Sequence, residues 1–115
     1  GNLIEFEQQL KNPVVLRNLT LTNIYAGTIF VRAANLDMLE FETKVLVESS
    51  SFDQINTFVY SVFLLNEGAS LEIRNSSFNQ ITSFEEGGII DAGYQNTKTT
   101  IYDSTFANNT TLKAA

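Results

Sequence analysis

Short stretches in which apolar and polar residues alternate recur along the chain, separated by segments rich in Asn, Ser, Thr and Gly. Four of these stretches, residues 15–24, 46–55, 72–81 and 100–109, align on a large apolar residue at their seventh position. The anchors recur after 31, 26 and 28 residues, and the second and third stretches share the pattern Ser-x-Phe-x-Gln-Ile. Alternation with a period of two predicts half-buried β-strands, and recurrence at this interval predicts a structural repeat.

This repeat predicts an all-β chain folded as a right-handed parallel β-helix, a solenoid of about four coils of 26–31 residues. The handedness follows the usual behaviour of parallel crossovers. We expect one β-helix segment over residues 1–115, with coils at about 13–43, 44–69, 70–97 and 98–115. Helical repeats are disfavoured because no apolar stripe with a 3.6-residue period persists, and the leucine-rich consensus is not kept.

A second apolar block follows the anchor in the middle coils. Phe63 lies 11 residues after Phe52, and Ile89 lies 11 residues after Phe78. This equal spacing predicts that Phe63 and Ile89 are neighbours in adjacent coils. The corresponding block of the first coil is residues 28–31, which follow their anchor three residues earlier.

In a β-helix each residue lies over its counterpart in the next coil, about 4.8 Å away, so aligned positions form columns. An aliphatic column and a mostly aromatic column are predicted to face inward and to supply most of the stability. Their members are Leu16, Val47, Ile73 and Ile101, and then Leu21, Phe52, Phe78 and Phe106.

Two further columns are polar. One is expected to hydrogen-bond from coil to coil through side-chain amides, as stacked amides do in cross-β assemblies. Its members are Asn23, Gln54, Gln80 and Asn108. The other contains Arg17, Glu48 and Arg74 with Tyr102 above them, and its alternating charges are expected for outward side chains of neighbouring coils.

Composition narrows the range of functions. The net charge is −6, from 13 acidic and 7 basic residues with no basic cluster, which argues against nucleic acid and anionic membrane surfaces. No apolar run reaches the ~20 residues that a membrane-spanning helix needs, so we expect no direct membrane insertion by this segment. Without Cys or His, thiolate zinc sites and His-dependent nucleophile systems cannot be built. We therefore predict no cofactor, no metal site and no catalytic residues.

The motifs of the later coils resemble those of polymorphic-membrane-protein-type β-helices, within the pectin-lyase-like superfamily. Those repeats carry a Gly-Gly-Ala-Ile motif and a Phe-x-x-Asn motif. Residues 87–90, Gly-Gly-Ile-Ile, are similar to the first with Ile in place of Ala, and residues 106–109, Phe-Ala-Asn-Asn, match the second. Residues 52–55 and 78–81 keep the Phe but end in Ile. The resemblance implies a β-helix in an extracellular or cell-surface setting.

Four asparagines fit the acceptor pattern for N-linked glycosylation, Asn-x-Ser/Thr. They are Asn18, Asn75, Asn108 and Asn109. Asn18 and Asn75 share a column with Ser49 and Asp103, at a corner expected to face solvent. We predict that these two are the preferred acceptors in a protein secreted by a eukaryote, and that only one of the adjacent Asn108 and Asn109 is used.

The acidic residues leave an alternative open. Sugar-cleaving β-helices use several carboxylates on one face. Here Asp53 lies beside Asn79 in one column, and no column contains two stacked acids. We interpret the acids as solvated corner charges, with a carbohydrate-active fragment, either a lyase, a hydrolase or a sugar-binding module, as the alternative function.

The ends of the stack bear on the function as well. No pattern for a capping helix precedes residue 13, and the tail after residue 109 is short. We expect the partner of the end coils to be a second copy, stacked end to end, or neighbouring coils of the same parent chain. The sequence thus predicts a non-catalytic extracellular scaffold that forms filaments and carries N-linked glycans. An adhesion or receptor-binding surface on the same scaffold remains a further alternative.

Overall fold

The computed structural model describes residues 4–6, 13–25, 29–31, 43–57, 61–65, 68–84, 88–92 and 97–111. The elements within these ranges are all β-strands. In chain order they are β1 (Ile4–Phe6), β2 (Val14–Arg17), β3 (Thr20–Tyr25), β4 (Ile29–Val31), β5 (Thr43–Glu48), β6 (Ser51–Thr57), β7 (Phe63–Leu65), β8 (Ala69–Arg74), β9 (Ser77–Ser83), β10 (Ile90–Asp91), β11 (Lys98–Tyr102), β12 (Thr105–Ala107) and β13 (Thr110–Thr111).

The strands form three sheets, and every strand pair is parallel. The first sheet has the order β2-β5-β8-β11, the second β3-β6-β9-β12 with β13 also beside β9, and the third β1-β4-β7-β10. From β2 to β12 the chain visits the three sheets in the same cyclic order. Four repeats follow: β2–β4, β5–β7, β8–β10, and β11 with β12.

The predicted core columns lie in register. Leu16 is opposite Val47, Val47 opposite Ile73, and Ile73 opposite Ile101. In the aromatic column, the Phe52 and Phe78 rings stack with centroids 4.6 Å apart, and Phe78 and Phe106 with centroids 4.8 Å apart. The members in the two middle repeats are buried, but Ile101 and Phe106 are 44% and 39% exposed because no described strand lies beyond β11 and β12.

The prediction for the second apolar block is wrong by one residue. Phe63 pairs with Ile90 instead of Ile89, although the Phe63 N–H donates to the Ile89 carbonyl at 2.8 Å. The connection from β6 to β7 is residues 58–62, whereas that from β9 to β10 is residues 84–89 and is one residue longer. Equal spacing along the chain therefore does not give equal register here. Phe63 still packs edge-on against Phe52 and Phe78.

Candidate functional site

Each repeat turns sharply between its first and second strands at a residue with left-handed backbone. The residues at this corner are Asn18, Ser49, Asn75 and Asp103, with φ of 57°, 52°, 49° and 49°. Asn and Asp tolerate this conformation better than most residues. All four are exposed, so the prediction of a solvent-facing corner is confirmed for this column.

A serine follows the corner residue in three repeats and joins each repeat to the one before it. Ser50 Oγ accepts from Leu19 N–H, Ser76 Oγ from Ser50 N–H, and Ser104 Oγ from Ser76 N–H, at 3.1–3.2 Å. Each of these hydroxyls also donates, at 2.8–2.9 Å, to the carbonyl two residues earlier. The first repeat has Leu19 at this position and so lacks the hydroxyl.

The four glycosylation candidates differ in how their side chains are used. Asn18 and Asn75 are exposed, and their side-chain amides make no hydrogen bond within the described residues, whereas their backbone N–H groups donate to the next repeat. The Asn108 amide donates to Asn79 Oδ1 at 3.0 Å. The half-buried Asn109 accepts from Ile81 N–H at 2.9 Å and donates to the Phe78 carbonyl at 3.2 Å. The geometry leaves Asn18 and Asn75 as the two unengaged acceptors.

The predicted amide column needs correction. Asn23, Gln54, Gln80 and Asn108 do occupy equivalent positions, with φ of 57°, 56°, 55° and 57°. However, no described hydrogen bond joins their side chains to one another. All four residues are exposed at the left-handed bend. The side-chain hydrogen bonds instead involve the residue before the bend: Asn79 Nδ2 donates to Asp53 Oδ1 at 2.9 Å, and Asn108 Nδ2 donates to Asn79 Oδ1 at 3.0 Å.

The exposed amides line an open groove of about 450 Å³ on the outer face of the second sheet. Two outward rows form its sides, since the residue between them in each strand points inward. One row is Asn23, Gln54 and Gln80, and the other is Tyr25, Asn56 and Thr82. None of these six residues carries a charge at neutral pH, and Tyr25 is 74% exposed.

The charged column of the first sheet is only partly paired as predicted. Arg17 Nε lies 2.7 Å from Glu48 Oε2 in the next repeat. Arg74 instead binds Glu72, two residues earlier in its own strand, and lies over the Tyr102 ring with Cζ 4.4 Å from the centroid. Glu48 lies opposite Arg74 on the neighbouring strand. Glu72 is two residues from Arg74 in β8, so the two side chains project from the same outer face.

Glu72 is the centre of this charged group, because Lys44 Nζ also lies 3.2 Å from its Oε1. The hydrogen bond from Arg74 lowers the pKa of Glu72; loss of hydration opposes this, and Lys44 adds to it. Reciprocally, the hydrogen bond to Glu72 raises the pKa of Arg74. The sequence alignment had not singled out Glu72 or Lys44. The signal for them was the placement of Lys44 and Glu72 on adjacent strands, two residues apart in register and therefore on the same face.

Two other groups were missed. The serines recur in the sequence two residues before Phe52, Phe78 and Phe106, but the alternation of apolar and polar positions does not indicate their hydrogen bonds to the backbone. The bridging role of Asn109 left no comparable signal, since it depends on where the side chain reaches. Within the described ranges no group of three or more acidic residues is placed to hold a metal ion.

The chain matches no protein-family model, no curated protein and no solved structure. The described residues include no helix with the length and apolar character needed to cross a membrane.

Proposed function

We propose that the chain is a segment of right-handed parallel β-helix that serves as a non-catalytic extracellular scaffold. The observation that carries the proposal is the cyclic order of the three parallel sheets, in which inward columns of the same chemistry continue through four repeats. A stack of this kind is stabilised between neighbouring repeats and can be extended without a new core.

The use of the carboxylates supports a structural role. Glu48 binds Arg17, Glu72 binds Arg74 and Lys44, and Asp53 accepts from Asn79. A catalytic acid or base needs to reach a proton on a bound substrate, and it is usually held in a cleft that perturbs its pKa. Here each of these carboxylates is instead part of a contact between strands or within one strand.

The corner column supports a surface that carries glycans. Asn18 and Asn75 project from equivalent left-handed corners two repeats apart, with Ser49 between them. Expression of the chain through the secretory pathway of a eukaryotic cell, followed by glycopeptide mass spectrometry, tests this point. We expect sugar on Asn18 and Asn75, removed separately by Asn18→Gln and Asn75→Gln; sugar mainly on Asn109 would contradict the assignment.

The exposed columns of the fourth repeat favour end-to-end stacking with a second copy. Covering Phe78 by one more repeat makes it fully buried, whereas Phe106 above it is 39% exposed. In a head-to-tail contact, Leu21 of a second copy would continue the aromatic column over Phe106. Arg17 of that copy would lie over Tyr102, as Arg74 does on the ring's other side.

The backbone at this junction is complementary except at one position. Within the stack, Asn75 N–H donates to the Tyr102 carbonyl, and Thr105 N–H donates to the Ser76 carbonyl. The same pattern would join Asp103 and Ser104 to the first repeat of the next copy. The bond that Ser104 N–H would make to a serine hydroxyl is missing, because that position holds Leu19. Each junction is therefore weaker than a contact between two internal repeats.

Sedimentation velocity over a range of concentrations tests the stacking. Ile101→Lys places a charge on the proposed junction and should leave the protein monomeric, whereas Leu19→Ser restores the missing hydroxyl and should lower the dissociation constant of the assembly about fivefold. Leu46→Lys, at an outward position of the second repeat, is the matched control and should associate as the parent does. Equal behaviour of Ile101→Lys and Leu46→Lys would overturn the junction.

A further inference from the structure

A small pocket on the outer face of the first sheet brings together two lysines that are distant in the sequence. Lys44, Ser70 and Lys98 are neighbours in register on β5, β8 and β11, with Ser70 in the middle. Adjacent strands lie about 4.8 Å apart, so the two lysines flank the serine at the same level of the sheet. Thr100 and Glu72 also line the pocket, whose volume is about 130 Å³.

Ser70 contributes a hydroxyl that the fold does not use. The residue is only 3% exposed, and its side chain makes no hydrogen bond within the described part of the chain. The buried Ser50 and Ser76, by contrast, each accept one hydrogen bond and donate another. A hydroxyl that is removed from water without a partner is unfavourable, so an acceptor placed in the pocket would be stabilised by Ser70.

The face around the pocket is basic, although the chain as a whole is acidic. Four of the seven basic residues project from this face, together with two carboxylates of the described strands. They are Arg17, Lys44, Arg74 and Lys98, with Glu48 and Glu72. The face therefore carries a local charge of +2 on a chain whose net charge is −6.

The one carboxylate in the lining is already neutralised. Glu72 Oε1 lies 3.2 Å from Lys44 Nζ, and its Oε2 accepts from Arg74. Lys98 makes no ion pair with any described residue, and it is exposed. A lysine ammonium has three N–H donors, so Lys44 retains donors beyond the one directed at Glu72. The pocket thus offers an unpaired cation, a shared cation and the Ser70 hydroxyl.

We propose that this pocket binds a phosphate group, as inorganic phosphate or as a monoester. At about 30 Å³ for each water, the pocket has the room of about four waters, which suits the four oxygens of one phosphate. A phosphate monoester carries a charge of about −1.5 to −2 at pH 7, which matches the local +2, and its oxygens are strong acceptors. The inference rests neither on the end-to-end contact nor on the glycans.

Nuclear magnetic resonance titration of the 15N-labelled chain at low salt tests the pocket. The probes are inorganic phosphate and methyl phosphate, with acetate at equal ionic strength as a singly charged planar anion. We expect both phosphates to shift the backbone amide signals of Ser70, Lys98 and Thr100 and to saturate them below about 10 mM. The amide of Gln54, on the second sheet, should not move.

The two phosphates distinguish the possible sources of the group. Tighter binding of inorganic phosphate would identify the free ion, whereas equal or tighter binding of methyl phosphate would identify a group carried on a larger molecule. Shifts that do not saturate with either phosphate, or equal binding of acetate, would overturn the proposal.

Two substitutions in the pocket are paired with controls outside it. Lys98→Gln removes the unpaired ammonium, and Arg17→Gln makes the same change of charge on the same face. Ser70→Ala removes the buried hydroxyl, and Ser51→Ala removes one from the second sheet. We expect Lys98→Gln to raise the Kd of phosphate about tenfold and Ser70→Ala about fivefold, with both controls within about twofold. Equal effects of Lys98→Gln and Arg17→Gln would reduce binding to the general charge of the face and overturn the site.

Discussion

At the scale of single residues, the backbone conformation explains why polar residues recur at two positions of each repeat. Within the described ranges eight non-glycine residues have positive φ, and they form two columns, five residues apart along the chain in each repeat. Ordinary L-residues pay about 1–2 kcal/mol in this conformation, and Asn and Asp pay less. The frequent asparagines are therefore explained in part by geometry, which also brings Asn18 and Asn75 to the surface.

Thr57 places an unpaired hydroxyl in the core. Its Oγ1 is buried without a hydrogen-bond partner in the described part of the chain. Thr57→Val keeps the shape and removes the unpaired hydroxyl, so the free energy of unfolding in urea should rise by about 1 kcal/mol. Ser61→Ala is the contrasting control, because Ser61 Oγ donates to the Phe63 carbonyl and its loss should destabilise. A Thr57→Val variant less stable than the parent would contradict the reading of this hydroxyl.

Phe78 should be the side chain whose truncation costs most. It lies between the rings of Phe52 and Phe106 and packs edge-on against Phe63. Phe78→Ala removes a buried ring from a site closed on both sides, and we expect the free energy of unfolding to fall by about 3–5 kcal/mol. Phe106→Ala should cost clearly less, since one side of that ring is exposed. Equal costs in urea titrations would mean that the fourth repeat is covered in solution.

At the scale of strands, the sequence predicts register well only where the repeats have no insertion between aligned positions. Two residues separate the first strand from the second in each of the first three repeats, so the register is the same in both sheets. The core columns and the Asp53–Asn79 contact could therefore be predicted. The register of the third sheet could not be predicted, because the connections that lead into β7 and β10 differ in length by one residue. The sequence also could not predict whether Arg74 pairs with Glu48 or with Glu72, because that choice depends on side-chain rotamers.

Asn109 acts at this scale because it binds one strand of the preceding repeat at two points. Its amide spans the Phe78 carbonyl and the Ile81 N–H, on either side of the left-handed Gln80. Asn109→Ala would leave both groups of β9 without this partner and should cost about 1–3 kcal/mol. Hydrogen exchange should become faster at the Ile81 amide in particular. Asn108→Gly, which removes an exposed side-chain amide and keeps a residue that adopts positive φ without strain, is the control. Faster exchange at Ile81 in both variants would contradict a specific bridge.

The charged group of the first sheet predicts an acid-dependent loss of stability. Because the folded pKa of Glu72 is lowered, its contribution is complete above the unfolded value of about 4.3 and is lost as the pH falls through the lower folded value. Glu72→Gln should therefore flatten the fall in unfolding midpoint below about pH 4.3, measured in urea at low salt. If the unfolding midpoint of Glu72→Gln fell with decreasing pH as it does in the parent, the ion pairs of Glu72 would not be coupling the strands.

At the scale of the whole molecule, inward columns provide the core, corners expose Asn18 and Asn75, and one outer face has an uncharged groove. Each feature repeats because the chain returns to the same three sheets in each turn. A fold with this regularity can be lengthened by a second copy without changing its cross-section, and a head-to-tail contact that does not close produces a fibre. The sequence predicted the all-β chain and its parallel strand pairs, but it could not predict the groove, which depends on how the side chains of the second sheet are oriented.

Electron cryo-microscopy of the concentrated chain, expressed through the secretory pathway of a eukaryotic cell, tests the central claim most directly, since it reports on the parallel stack and on its assembly together. We expect fibres with strands perpendicular to the axis and a strand spacing of about 4.8 Å, in which each copy contributes four repeats and hence a rise of about 19 Å. Density for sugars should follow Asn18 and Asn75 along the fibre. Isolated small particles at every concentration, or fibres whose copies repeat at about 4.8 Å as in amyloid, would contradict a scaffold built by stacking folded copies end to end.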